Sequence, residues 1–386
     1  MSDISEKKIM NSDDIKYGIT YKIKACIKKY CPNFSLVFFC ICLLALTVHV
    51  VCLISSTFAD FYNQTVGSAV RALLAYLTMF LPFSLAETVI IALPVLLFVM
   101  IYISTLFFKR SEEASVRCIV GLFSVLTLMY SIFVLGYGMG YHGTSLSSKL
   151  GLSEEKVTAL ELKETSEKLL DEMIPLLENI PYSQENASYM PYSLDEMNTK
   201  LNRAYKSAGE KYSFISNFYS KIKYIVLSEP MTYTHISGVY SYYTGEANLN
   251  INFPDYTLPF TAAHELAHQR GIAPENEANF VAFLVCMESD DNYIKYSAYL
   301  NMFEYVTNAL YRADSKMYYE LILKTDNRII GEMSAYNAFF EKYRDSKASE
   351  VSDAVNDTYL KVQGQSAGSA SYGMVVDLAV AYYKQK

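Results

Sequence analysis

Tryptophan is absent from this 386-residue chain and histidine occurs only five times, whereas tyrosine occurs 34 times. Cysteine is scarce where it could staple a fold. Cys26, Cys31, Cys40, Cys42, Cys52 and Cys118 lie in the first third, and only Cys286 lies beyond. A disulfide within the C-terminal part is thereby excluded, and no cysteine spacing suits a zinc ribbon. Also missing are a Gly-rich phosphate loop, an internal repeat and a low-complexity linker. The formal net charge is −7, and no basic stripe runs through the C-terminal half, which argues against nucleic acid as a partner.

What is present in excess is apolar residues, 52% of the chain, concentrated in the first third. Three runs, at about 34–55, 88–108 and 118–141, are each long enough to cross a bilayer. The first is too long for a cleaved signal peptide and follows a polar segment. Between the first two runs lies a shorter apolar stretch, 66–82, interrupted by Arg71. Its length predicts an extra interfacial or bundle-packed helix, with Arg71 and Tyr76 at headgroup level. Lys7, Lys8, Lys16, Lys22, Lys24, Lys28 and Lys29 precede the first run, and Lys109, Arg110 and Arg117 follow the second. The positive-inside rule then places residues 1–33 and the 109–117 loop in the cytoplasm. Three spans over 34–142 would leave 143–386 outside the cytoplasm. His49, at membrane depth, reads best as a neutral imidazole hydrogen-bonded between helices.

Two of the five histidines fall in Thr261-Ala262-Ala263-His264-Glu265-Leu266-Ala267-His268-Gln269-Arg270-Gly271. Residues four apart share a helix face, so His264 and His268 can converge on one ion, and Glu265 can reach a water beside it. That is the donor pattern of a zinc hydrolase: two neutral nitrogens, and a carboxylate to take a proton. Gly271 suits the C-cap of this helix and Pro274 the first turn of the next. A carboxylate on that next helix can complete the metal site. Glu277 is the expected third ligand, because Phe280 and Leu284 fall on its face. Glu275 is the reserve, since a carboxylate that close to a helix start also has a use against the macrodipole.

From about residue 150 the chain reads as one domain. Helices are expected at 152–180, 194–214, 293–313, 317–323 and 335–343, and strands at 222–227 and 247–253. In the second strand Asn248, Asn250 and Asn252 alternate with Leu249 and Ile251, which predicts an amide-rich face. This strand could serve as an edge that accepts an extended peptide. Tyr372 and His235 are weaker candidates to stabilise an oxyanion. Residues 363–371 read as a short loop.

The run HELAHQRG followed by PENEANFVAF resembles the bacterial DUF3810 family of membrane proteins. Ser237-Gly238-Val239-Tyr240, Tyr243-Thr244-Gly245-Glu246-Ala247-Asn248 and Ser371-Tyr372-Gly373 are similar to family segments too, as is the layout of membrane helices ahead of the motif. More distantly, the spacing is similar to gluzincin-type metallopeptidases, including the ImmA/IrrE-like group. That similarity implies His264, His268 and Glu277 as metal ligands and Glu265 as base. The expected architecture is mainly α: a bundle of three transmembrane helices, then an α+β zincin-like domain with a small sheet. The expected function is a membrane-anchored Zn2+-dependent peptidase acting on a peptide or protein. The alternative is a non-catalytic zinc-binding sensor or structural domain.

Overall fold

Helix starts in this chain carry their own caps. Ser55, Ser145, Ser193, Asp291, Asp314 and Asp326 each accept a hydrogen bond from a first-turn backbone N–H, and Thr158 forms a capping box with Glu161. The computed structural model describes residues 12–153, 155–183, 187–344, 346–362 and 374–386. Tyr372 and the segments 371–373 and 363–371 singled out above lie outside the described residues.

In chain order the helices are α1 (Ser12–Tyr30), α2 (Asn33–Ile54), α3 (Ser56–Tyr62), α4 (Ser68–Met79), α5 (Leu85–Arg110) and α6 (Glu112–Gly136). Then come α7 (Leu146–Leu150), α8 (Ala159–Met173), α9 (Leu194–Lys211) and α10 (Ser228–Thr232). The C-terminal part holds α11 (Thr257–Gln269), α12 (Glu275–Met287), α13 (Asn292–Ala313), α14 (Ser315–Ile322), α15 (Asn327–Glu341), α16 (Lys347–Val362) and α17 (Val375–Gln385). Three of them, α2, α5 and α6, are long and apolar enough to cross a membrane.

The chain divides into two compact units, residues 1–48 with 90–132 and residues 49–89 with 133–386. In the smaller unit Ser124 donates to Ser35 at 2.9 Å, and the rings of Phe39 and Phe123 lie 6.1 Å apart. The larger unit is built on α11, α12 and α13, which pack on one another. Nearly every residue of α12 from Ala278 to Cys286 is buried. A boundary at residue 143 would therefore cut this unit, because 49–89 and 133–142 belong to it.

A three-stranded sheet lies in the larger unit, with β1 (Lys223–Tyr224), β2 (Gly238–Ser241) and β3 (Glu246–Leu249) in the order β1-β3-β2. β3 runs parallel to β1 and antiparallel to β2, with Val239 opposite Asn248. The strand expected as an edge, 247–253, is thus the central one, and the edges are β1 and β2. Nor is there a free amide face. Asn248 donates to Val239 O and Glu246 O, and Asn250 to Ile236 O, both residues being buried. The sheet also starts α5: Glu246 accepts from the N–H groups of Leu85 and Ala86 at 3.0 and 2.9 Å. A carboxylate there satisfies two donors that the helix itself leaves unpaired.

The stretch 66–82 holds a short helix as expected, α4, but Arg71 does not sit where the sequence suggests. A π-turn at Asn63–Gly67 joins α3 to α4, and Arg71 is buried at 1% exposure instead of lying at headgroup level. The third apolar run departs from expectation. Its helix ends at Gly136, and a 3-10 turn, Gly138–His142, follows. The ring of His142 stacks on that of His49 at 5.3 Å. The long helix expected at 152–180 is α8 followed by a 3-10 turn, Ile174–Asn179, whose second residue is Pro175.

Candidate metal centre

The motif helix α11 ends as its sequence predicts. Gly271 adopts φ +91°, a region that favours glycine. Its N–H donates to His268 O, and Ile272 N–H donates to Ala267 O, the two bonds of a Schellman cap. The cap serves the site directly, because the carbonyl it presents, Ile272 O, accepts from His268 Nδ1 at 2.8 Å. A carbonyl can only accept, so the proton of neutral His268 sits on Nδ1 and the Nε2 lone pair is free. Tyr137 Oη lies 3.0 Å from the same Nδ1 and offers it a second acceptor.

Both Nε2 atoms face one carboxylate oxygen. Glu275 Oε2 stands 3.2 Å from His264 Nε2 and 3.3 Å from His268 Nε2. His264, His268 and Glu275 offer three ligand atoms within 4.8 Å of one another, a group that could hold a metal ion. The structure therefore brings Glu275, not Glu277, to the histidines. Glu277 Oε1 instead accepts from Leu146 N–H at 2.8 Å, at the start of α7. The face argument that favoured Glu277 presumed a helix with one inward side, and α12 is enclosed all round.

Glu265 is 5% exposed, and its Oε2 has no hydrogen-bond partner among the described residues. Burial pushes its pKa up to about 7, against the lowering pull of His264, His268 and the Tyr240 N–H. For His268 burial works to lower the pKa, but the Glu275 carboxylate outweighs it and raises it to about 9. Burial likewise opposes ionisation of Glu275, yet the two imidazoles hold its carboxyl far below the usual range. Glu277 is pushed up by burial, with only the Leu146 N–H and Lys149 in opposition to that and to Asp60.

Room for Glu265 comes from β2. A Cβ on Gly238 would lie 2.7 Å from Glu265 Cγ and Oε1, so glycine is what lets the strand pass beside the carboxylate. The C-terminal end of α11 is held from the membrane-proximal segment. Arg71 donates to Asn63 O and Oδ1, to Gly136 O and to Arg270 O, while Asn63 Nδ2 donates to Gly271 O. Burial lowers the Arg71 pKa to about 10, which leaves the guanidinium charged at neutral pH and favourably placed at a helix C-terminus.

A cleft of about 800 Å³ opens over the three candidate ligands, and among the described residues no lysine or arginine lines it. His235 lines it too, but its Nε2 is 2.8 Å from Tyr343 O, so that nitrogen is engaged. Sequence reasoning missed Tyr137, Gly238 and Arg71. The only signals for them are an irregular end to the third apolar run, a Gly before a β-branched and an aromatic residue, and a lone cation in a short apolar stretch.

No curated protein and no solved structure matches the chain. The DUF3810 family, described as a protein of unknown function, matches residues 62–380, and the chain belongs to that family.

Proposed function

We infer that this protein is a membrane-anchored zinc-dependent peptidase with a zincin-like catalytic unit. The observation that carries the reading is the convergence of His264, His268 and Glu275, with Glu265 buried and unpartnered beside them. Two imidazoles and one carboxylate make the donor set that zinc hydrolases use, with a position left over for the reaction. The donors fit the ion: the Nδ1–H bond to Ile272 O leaves His268 Nε2 free to ligate. Zinc held there would act as a Lewis acid toward water and a peptide carbonyl.

The chain's own groups would do the rest. Glu265, with a pKa near 7, is matched to take a proton from the attacking water and return it to the departing amine. β2 is the sheet edge in the cleft wall, so an extended peptide could lie along it. The lysine asymmetry, read with three membrane-length helices, supports a catalytic unit outside the cytoplasm of a cell membrane.

A zinc site that only stabilises or senses would have no use for Glu265. The two readings separate when the full-length protein, purified in detergent, is assayed for zinc and for peptide hydrolysis. One zinc per chain is expected, lost in His264→Ala and kept in Glu265→Gln, with hydrolysis lost in both. Activity retained by Glu265→Gln would refute the assignment, and zinc bound by an inactive wild type would favour the sensor.

A further inference from the structure

Glu304, on α13, lines the cleft that holds the metal ligands. It forms no ion pair among the described residues. Its oxygens accept only from Tyr256 Oη, at 3.2 and 3.3 Å. The hydroxyls of Tyr305 and Tyr336 also feel its charge, and the rings of Tyr256 and Tyr336 lie 6.0 Å apart. Tyr305 feels Glu275 as well, so one tyrosine lies within electrostatic reach of both the carboxylate and the metal ligands.

A largely buried carboxylate without a cation is costly, and burial pushes the Glu304 pKa up to about 7; a cation arriving beside it would offset that cost and keep the group ionised. Among the described residues no lysine or arginine lines this cleft, and its two motif imidazoles are already engaged by Glu275. Tyrosine faces add attraction for a cation and little for an anion. A second group points the same way. Asn279, 3% exposed and also in the cleft wall, has an Nδ2 with no partner. Its amide could donate to a substrate carbonyl while Glu304 holds a positive group.

We propose that Glu304 and its tyrosines form a seat for a primary ammonium group, so that substrates of the cleft are peptides bearing a free amino group near the bond that is cut. The reference to a cut bond rests on the peptidase reading; the ammonium seat does not. The amino group has two possible sources, a peptide N-terminus or a lysine side chain.

The test is binding to the full-length, zinc-loaded protein at pH 7, measured by calorimetry. L-leucinamide is compared with N-acetyl-L-leucinamide for the N-terminal source, and Nα-acetyl-lysinamide with Nα-acetyl-norleucinamide for the side-chain source. In at least one pair the amine should bind about tenfold or more tightly, and Glu304→Gln should cut that preference below about twofold. The pair that responds identifies the source. Equal binding within both pairs by the wild type would overturn the proposal, and needs no variant to fold. A preference that survives in Glu304→Gln would overturn it too, by assigning the amine to the metal. Hydrolysis of leucine p-nitroanilide is read separately. Its absence beside an intact amine preference would overturn peptidase activity toward N-terminal amines and leave the seat standing.

Discussion

Replacing Gly238 by alanine tests the role of Glu265 without touching a metal ligand. The added methyl would lie 2.7 Å from Glu265 Cγ and Oε1 and 3.0 Å from its Cδ. Ordinary carbon contacts run at about 3.5–4.0 Å, so the carboxylate must retreat by about 1 Å. The carboxylate is the flexible end of the pair, whereas β2 is fixed by its ladder to β3, so the side chain moves and the strand stays. A displacement of that size at a reacting group costs about 100-fold in rate, within the range of about 10²–10⁴ that a positioned general base supplies. The three atoms nearest the new methyl all belong to Glu265 and none to His264, His268 or Glu275, so zinc stoichiometry should hold at one per chain. The assay pairs kcat/KM on a cleaved peptide with metal content and thermal unfolding of Gly238→Ala. Unchanged kcat/KM would show that Glu265 does not act from the position it occupies beside Gly238. Loss of zinc along with activity would show that the strand supports the ligands and not the base.

Three other outcomes are expected. Glu275→Gln should lose zinc, while Glu277→Gln should retain it, its amide oxygen still able to accept from Leu146 N–H; atomic absorption on both variants decides, and the reverse pattern would restore Glu277 as ligand. Zinc affinity should rise about tenfold per pH unit between pH 6 and 8 and level off above about 9. The reason is that His268, with its pKa raised to about 9 by Glu275, carries a proton that zinc must displace; a flat profile in chelator competition would refute the coupling. Arg71→Met should lower stability by on the order of 3 kcal/mol, because buried carbonyls of Asn63, Gly136 and Arg270 lose a charged donor. In thermal unfolding that is a drop of roughly 6–12 °C, and a shift under about 2 °C would assign Arg71 no such role.

The motif residues were legible because their chemistry is local. His264, Glu265 and His268 need only one helix and its four-residue spacing, and Gly271 announces the cap that ends it. The three membrane-length helices were legible for the same reason, since length and hydropathy are properties of a continuous run. Glu275 was not, because the choice between it and Glu277 depends on how α12 enters the core. A helix buried on every side leaves no polar face in the sequence to mark its orientation. The order of the strands was hidden by their length: β1 has two residues and β2 and β3 four each, too few for alternation to show which one is central.

The residues around His268 tie the motif helix to sequence that precedes residue 143, all of it within the larger compact unit. Its Nδ1 lies beside Tyr137, the first residue beyond α6. The helix that carries it ends on Arg71 and Asn63, which lie between the first and second spans. Arg71 also holds Gly136 O, the last carbonyl of α6. One buried guanidinium thus ties the end of a membrane-length helix to the end of the motif helix, and the carbonyl that orients His268 comes two residues further on. A shift at the end of α6 would reach His268 through Tyr137 and Arg71 together, two short and rigid connections. The polar contacts that brace His268 and the end of its helix are therefore drawn from the sequence on both sides of the membrane-length helices α5 and α6, and a protein cut at residue 143 would keep the candidate ligands and Ile272 O but lose Tyr137, Asn63 and Arg71.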